Sequence, residues 1–198
     1  MNSAAPAAAP PLILASTSPY RRELLQRLGL EFTVRAPGVE EVARTGETPA
    51  DRARRLALAK ARAIAREHPG ACIIGSDQVA AIDDQVLEKP GNAQRCRAQL
   101  AQLSGRQAIF HTAVALLRRD TALEHLDATT VVFRELESDE IARYVDREQP
   151  FDCAGSFRAE RLGVTLFARL STEDPTALVG LPLIWLAGAL RRVGYRLP

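Results

Sequence analysis

The chain has 198 residues, of which 46% are hydrophobic, so it is long enough to bury one core of ordinary domain size. Its 26 basic and 24 acidic residues leave a formal net charge of +2, which argues against a broad nucleic-acid surface or a membrane-binding patch. No apolar run reaches the roughly 18 residues of a membrane span, and the first eleven residues lack a signal-peptide pattern. Three separated cysteines without a CxxC fit a reducing compartment. We therefore expect a cytoplasmic protein with a disordered Ala/Pro-rich tail at 1–11 and a single domain at 12–198.

The first half of the chain predicts short apolar strands alternating with amphipathic helices. The predicted strands lie at 12–15, 31–36 and 72–74, and the predicted helices run from 19 to the Gly29 stop and from 49 to about His68. Ser18 and Pro19 supply an N-cap and a first helical residue. The apolar run at 72–74 predicts a central strand that ends in GSDQ, which places polar groups where open α/β sheets bind their ligands.

The second half predicts long strands joined by a tight turn, followed by two more helices. The predicted helices run over 92–103, from 138 onwards and from 182 to about 194, and the predicted strands over 108–117, 129–133 and 164–167. The segment around 118–126 indicates an antiparallel hairpin. A mixed sheet flanked by helices, in the α/β class, is therefore expected.

The stretch from Ser16 to Arg22, STSPYRR, has the composition of an anion site at the start of a helix. A helix N-terminus carries unpaired N–H groups and a partial positive charge, while serine hydroxyls and guanidinium groups add donors that match phosphate oxygens. Together these groups predict a polyphosphate cradle. The simpler interpretation is that Ser18 only caps the helix and the arginines are solvated, and for Ser18 and Pro19 alone it is the better one.

Two carboxylates and two lysines are further candidate residues of a ligand-binding or catalytic site. Asp77 follows three apolar residues and a glycine, where a buried carboxylate needs a metal, a proton or a cation as partner. If Asp77 and Glu41 converge, their oxygens suit Mg²⁺ or Mn²⁺, although a solvated acidic pair is the favoured interpretation of Glu40 and Glu41 taken alone. Lys60 lies on the core-facing stripe of its helix, where it either extends to solvent along its own stem or serves a site. Lys89 precedes a proline, which disfavours helix at that position, and Lys89 by itself is only weak evidence for a site.

Several common catalytic patterns do not occur in the sequence. The three histidines share no spacing typical of zinc ligands. There is no GxxxxGK[ST] loop, GxGxxG turn or GxSxG elbow. A serine nucleophile is therefore unsupported, and any nucleotide chemistry must use another scaffold.

Eight sequence blocks carry a resemblance to a known family. They are STSPYRRELL, VEE, Lys60 in the following helix, IIGSDQV, EKP, AQLAQLSG, CAGSFRAERLG and TALVGLPL. In this order, over nearly all of residues 12–195, they resemble the Maf family of nucleoside triphosphate pyrophosphatases. The resemblance implies a Maf/ITPase-like α/β fold in which helices flank an elongated mixed β-sheet, and a central cleft binds a nucleotide and a divalent cation. It also implies hydrolysis of the α–β phosphoanhydride to a nucleoside monophosphate and pyrophosphate.

The same resemblance assigns roles to individual residues. The residues implied to hold the polyphosphate are Ser16, Arg21, Arg22, Lys60 and Lys89. Glu41 and Asp77 are implied to bind Mg²⁺ or Mn²⁺, and Asp77 to activate the attacking water. These roles agree with the chemistry of phosphoryl transfer, in which cations offset the charge of the leaving group and no covalent intermediate is needed.

Three positions relate the sequence to the family branch that resembles 7-methyl-GTP pyrophosphatases, rather than to the branch preferring dTTP and UTP. They are Tyr20, Gln78 and Glu160. An aromatic face attracts the cationic 7-methylguanine ring, and a carboxylate can accept hydrogen bonds from its N1–H and amino groups. We therefore expect Tyr20 and Glu160 to select the base. Tyr20 departs from the tryptophan more usual in this branch but keeps the π-face.

Catalysis has two alternatives. One is a nucleotide-binding regulator of cell division or septum formation without significant turnover, and the other is an α/β scaffold whose charged residues are solvated, which would require several unrelated coincidences in the correct order. A pure binder could dispense with the metal carboxylates, whereas all of the implied carboxylates and lysines are present. The expected partners are a nucleotide substrate and, from the family resemblance, a second copy in a homodimer. Neither nucleic acid nor a membrane is expected as a partner.

Overall fold

The computed structural model describes residues 9–198. The strands are β1 Leu12–Ala15, β2 Thr33–Arg35, β3 Cys72–Ile82, β4 Gln85–Leu87, β5 Gln107–Arg118, β6 Thr121–Phe133 and β7 Phe167–Ser171. The helices are α1 Pro19–Gln26, α2 Pro49–Glu67, α3 Ala93–Leu103, α4 Ser138–Glu148 and α5 Leu183–Arg192. None of the helices within 9–198 has the length and apolar content to cross a membrane.

The predicted tail at 1–11 lies largely outside the described residues. Its last residues contact the folded chain through their backbone. The Tyr195 hydroxyl donates to the Pro10 carbonyl at 2.7 Å, and the Cys72 amide donates to the Pro11 carbonyl at 2.8 Å. The predicted disorder of residues 1–8 lies outside the described residues and stays a prediction.

The strands form one mixed sheet, as predicted. The strand order is β2-β1-β3-β5-β6-β7, and β4 pairs with β3. β1 runs parallel to both of its neighbours, whereas the pairs from β3 to β7 are antiparallel. The long β5–β6 hairpin is the one expected from the sequence around 118–126.

An opening in the sheet lies beside the middle of β3. β1 pairs with β3 only as far as Gly75, and β4 pairs with it only from Ala80 onwards. Residues 76–79 therefore have no strand partner on this edge within 9–198, although β5 pairs with them on the other edge. Side chains alternate along a strand, so Asp77 faces α2 while Ser76 and Gln78 face the opposite side.

Close packing fixes α2 against β3. A Cβ atom added to Gly75 would lie 2.3 Å from the Ala57 carbonyl oxygen and 2.8 Å from the Ala61 Cβ, so only glycine fits there. On the other face of the sheet, α1 and α5 bury Leu24, Leu25 and other leucines in a second cluster. The core therefore holds α1, α2 and β3 in fixed relative positions around the opening.

Three predicted elements differ from those observed, and one observed strand was not predicted. β3 does not end at the polar residues, because its pairing with β5 continues to Ala81. The strand predicted at 164–167 is wrong: residues 162–166 form a 3₁₀ turn, in which the Thr165 hydroxyl donates to the Leu162 carbonyl, and β7 begins only at Phe167. β6 begins at Thr121 instead of 129, and the short strand β4 was not predicted. The other predicted helices and strands are confirmed within a few residues.

Candidate active site

A cleft of about 260 Å³ lies at the opening beside β3. Nine of the predicted site residues line it: Ser16, Tyr20, Arg21, Glu41, Lys60, Asp77, Gln78, Lys89 and Glu160. These residues come from α1, α2, β3 and four loops. Arg22 is exposed on α1 and does not line the cleft, so its phosphate role stays a prediction.

Lys60 is the centre of the charged part of the cleft. Its Nζ atom lies 2.5 Å from Asp77 Oδ1 and 2.5 Å from Glu41 Oε1. Lys60 and Asp77 are only 6% and 5% exposed, whereas the Glu41 side chain is 52% exposed. The two carboxylates therefore converge as the sequence suggested, and Lys60 does not extend to solvent.

The Glu41 carboxyl stays ionised because cations surround it. Burial raises its pKa, but the hydrogen bond from Lys60 and the charges of Lys60, Lys89 and Arg21 outweigh burial, so the net pKa lies below its ordinary value. Within residues 9–198, no three His, Cys, Asp or Glu side chains are grouped as metal ligands. The two carboxylates nonetheless fit a hard divalent cation, because Mg²⁺ often takes one or two carboxylates and completes its shell with water and substrate phosphates.

The start of α1 contributes both hydroxyl and guanidinium groups. The Ser18 side chain accepts a hydrogen bond from the Arg21 amide, so it is the helix cap of the simpler interpretation. Ser16 Oγ accepts from the Ser18 amide at 3.1 Å and keeps its own proton to donate. Arg21 donates through Nε to the Gly180 carbonyl at 2.9 Å, which orients its guanidinium beside the cleft. Burial lowers the pKa of Arg21, and the charges of Asp77 and Glu41 oppose that effect.

Gln78 is fixed from the opposite face of the sheet. Its Nε2 atom donates to Thr112 Oγ1 at 2.9 Å and to the carbonyls of Ala177 and Leu178 at 3.1 and 3.0 Å. Because the amide nitrogen is used within the protein, the carbonyl oxygen of this side chain is the atom left to accept from a ligand. Tertiary contacts thus set the direction of Gln78.

Tyr20 belongs to a second hydrogen-bonded group that lines the cleft. Its hydroxyl accepts from Arg158 Nε at 2.9 Å and donates to Asp152 Oδ2 at 3.1 Å. Burial raises the pKa of the phenol above its ordinary value, so it remains protonated as a donor. The Cys153 thiol also lies within 3.7 Å of the hydroxyl.

Two arginines of α2 hold the acidic loop that carries Glu41. Arg52 donates to the Glu41 carbonyl at 3.0 Å and forms an ion pair with Glu88 at 2.8 Å, next to Lys89. Arg55 donates to the Val42 carbonyl and pairs with Glu47 through two hydrogen bonds. The contacts of Arg52 therefore link the loop that bears Glu41, a predicted metal ligand, to the loop that bears Lys89, a predicted phosphate-binding residue.

Sequence reasoning missed the supporting residues of the site. They are Arg52, Arg55, Asp152, Arg158 and Gly180. Arg158 and Gly180 lie inside blocks that carry the family resemblance, so that signal could have marked them. Asp152 and the two arginines of α2 have no such signal, because their roles depend on long-range contacts.

Comparison with known proteins supports the resemblance over nearly the whole chain. The sequence profile described as Maf-like protein matches residues 11–193. A 7-methyl-GTP pyrophosphatase of Xanthomonas oryzae pv. oryzae is 54% identical over 189 residues, which cover 96% of this chain and 100% of that protein. Proteins of the same name from Aromatoleum aromaticum and Albidiferax ferrireducens are 52% and 50% identical, over 94% and 93% of this chain and 97% and 94% of theirs.

The fold is also similar to a solved structure. The Staphylococcus aureus Ham1 protein superposes with a TM-score of 0.54 over 91% of this chain and 98% of that chain, at 13% sequence identity. This likeness concerns the fold alone and confirms the α/β class expected from the sequence. The match over residues 11–193 and the identities of 50–54%, together with the cleft described above, show that the chain belongs to the Maf family.

Proposed function

We propose that the chain is a nucleoside triphosphate pyrophosphatase that cleaves 7-methyl-GTP to 7-methyl-GMP and pyrophosphate. The observation that carries the proposal is the cluster in which Lys60 lies 2.5 Å from both Asp77 and Glu41, with Arg21 and Lys89 on the same cleft. The name of the relatives at 50–54% identity supports the same substrate.

The charged residues of the cleft support an orientation in which the triphosphate contacts the basic residues and the base contacts Tyr20 and Glu160. Arg21, Lys60 and Lys89 are grouped around Glu41, whose pKa all three lower, and with Ser16 on the same cleft they suit a polyphosphate. Tyr20 and Glu160 line the cleft as well, and they suit a cationic purine. A triphosphate and a positively charged base thus find complementary groups in one cleft.

Each residue of the cluster has a chemical task in the proposed reaction. Lys60, Arg21 and Lys89 offset the negative charge that accumulates on the leaving pyrophosphate. Asp77 Oδ1 accepts the Lys60 hydrogen bond, and within residues 9–198 Oδ2 has no hydrogen-bond partner, so Oδ2 can take the proton of the attacking water. Glu41 and Asp77 would hold a divalent cation, which polarises phosphoryl oxygens and lowers the pKa of a coordinated water when bound.

The experiment is a product assay on the purified chain with Mg²⁺ or Mn²⁺. We expect pyrophosphate and 7-methyl-GMP from 7-methyl-GTP, with slower turnover of GTP, dTTP, UTP and CTP. In ¹⁸O-labelled water the label should enter the monophosphate, because the proposed attack is on the α-phosphorus. Asp77→Asn should lower kcat by about a hundredfold or more, whereas Asp120→Asn, at the exposed β5–β6 turn, should leave it unchanged.

The outcomes separate the proposal from its alternatives. A preference for dTTP or UTP would retain the reaction and refute the proposed base. Binding of 7-methyl-GTP without release of pyrophosphate would instead support a nucleotide-binding regulator. The single domain at 12–198, the homodimer and the cytoplasmic location stay predictions beside this proposal.

A further inference from the structure

The group around the Tyr20 hydroxyl is built mainly from one short segment of the chain. Asp152 and Arg158 both come from the loop that follows α4, and each forms a hydrogen bond with the phenol. They also form an ion pair with each other at 3.0 Å. The aromatic ring is therefore held at its polar end by two groups of opposite charge.

The Arg158 guanidinium is used almost entirely within the protein. Besides Tyr20 and Asp152, it donates to the carbonyls of Glu148 and Gln149 at 2.7 and 3.3 Å. Its side chain is 18% exposed, compared with 54% for Asp152. Both residues line the cleft, but Arg158 is a positioning residue for the ring, whereas the Asp152 carboxylate is the more exposed of the two.

The charged side chains that the loop after α4 contributes to the cleft sum to a negative value. Asp152 and Glu160 each contribute one negative charge, and Arg158 contributes one positive charge. Burial raises the pKa of Asp152, but the hydrogen bonds from Arg158 and Tyr20 bring it below its ordinary value, so the carboxylate is ionised. Replacing Asp152 by a neutral residue would leave Arg158 unbalanced and remove the net negative charge.

We propose that Asp152 is a further specificity-determining residue, which favours a positively charged base at the Tyr20 ring over an uncharged one. Arg158 positions both the ring and the carboxylate. The inference rests on the proposed function in that it takes the base to be 7-methylguanine. It extends base selection beyond the three positions named from the sequence, and it explains discrimination between methylated and unmethylated guanine by charge.

The test measures binding of 7-methyl-GMP and GMP by calorimetry on the full chain without metal, so that it does not depend on turnover. Measurements are made below neutral pH, where 7-methylguanine keeps its N1 proton and its positive charge. Asp152→Asn should reduce the preference for 7-methyl-GMP by about three- to tenfold, mainly through weaker binding of the methylated nucleotide. Asp152→Glu retains the charge and should restore most of the preference. Asp84→Asn, in the exposed β3–β4 turn, is the matched control.

The variants distinguish a charge effect from a structural one. If Asp152→Asn weakened both nucleotides equally, or if Asp152→Glu behaved as Asp152→Asn does, the inference would be wrong. An unchanged preference in Asp152→Asn would also overturn it, as would a wild-type chain that binds both nucleotides equally. A chain that binds 7-methyl-GMP preferentially but releases no pyrophosphate would refute the proposed function and leave the inference intact.

Discussion

Replacement of Lys60 by methionine is the most direct test of the charged cluster. Methionine keeps the approximate length of the side chain but removes the ammonium that lies between Asp77 and Glu41. Two carboxylates would then converge with no cation between them. We expect the variant to be less stable than the wild type at neutral pH, and the loss to shrink as the pH falls.

The magnitude follows from the geometry and exposure of the cluster. At 2.5 Å and an effective dielectric constant of about 20, each ion pair has a Coulomb energy of about 7 kcal/mol, most of which desolvation offsets. Removing one partner of a buried pair typically costs about 3 to 5 kcal/mol. Because Glu41 is half exposed, water screens its share, and we expect about 3 kcal/mol near neutral pH.

The pH dependence has a definite sign. In the wild type the pKa of Glu41 is depressed below its ordinary 4.5, so its stabilising contribution is present above that pH and is lost as the pH falls through the folded-state value. In Lys60→Met the convergence of like charges raises the pKa of one carboxyl in the folded state. That carboxyl takes up a proton on mild acidification, so the stability difference should fall by about 1 kcal/mol or more.

The assay is urea unfolding in chelator at two pH values, one near neutral and one near 5. The double variant Lys60→Met/Asp77→Asn is the control, because it removes one of the unpaired charges and should be more stable than Lys60→Met alone. A stability difference that is equal at both pH values, or below about 0.5 kcal/mol throughout, would show that Lys60 is effectively solvated and would refute this reasoning.

Two further predictions concern the supports of the cleft. Gly75→Ala should destabilise the chain by about 3 kcal/mol and lower its melting temperature by about 10 °C, because the new Cβ would lie 2.3 Å from the Ala57 carbonyl. In a thermal scan Gly188→Ala, a helical site with open space, should be neutral or stabilising, and equal effects at the two glycines would contradict the packing argument. Arg52→Gln should lower kcat/KM by about tenfold with little loss of stability, since it frees the two loops that Arg52 joins. Arg54→Gln, exposed on the same helix, should change neither quantity, and a similar loss of activity there would rule out loop positioning.

Local signals in the sequence were sufficient for most elements of the fold. Caps and prolines marked the starts of α1 and α2, a short apolar run marked the start of β3, and a longer one marked β5. The extension of β3 through Gly75 and Ser76 was not predictable in this way, because these residues have low strand propensity and tertiary pairing with β5 overrides it. The strand prediction at 164–167 failed for the opposite reason, because a local pattern suggested a strand that does not form. The alternating apolar pattern at 162–166 resembles a strand, but short-range hydrogen bonds turn the chain.

The residues of the candidate site also divide into those that a local sequence signal identifies and those whose roles depend on tertiary contacts. Asp77 was identifiable because an acidic residue inside an apolar run needs a partner, and the structure supplies Lys60 as that partner. Asp152 was not identifiable, because its role comes from a contact with Tyr20, 132 residues away in the chain. The oxygen that orients Arg21 belongs to the backbone of Gly180, and the identity of a side chain cannot reveal such a contact.

The adjacent positions of Asp77 and Gln78 in β3 limit how the gene can change in length. One side chain faces α2 and the other faces the 3₁₀ turn at Ala177–Val179, so a single peptide unit separates the proposed catalytic carboxylate from a proposed specificity residue. An insertion or deletion of one residue upstream in the strand would shift the pairing with β5 and exchange the two side chains between faces. Length variation in this part of the gene should therefore be confined to the turns that flank β3.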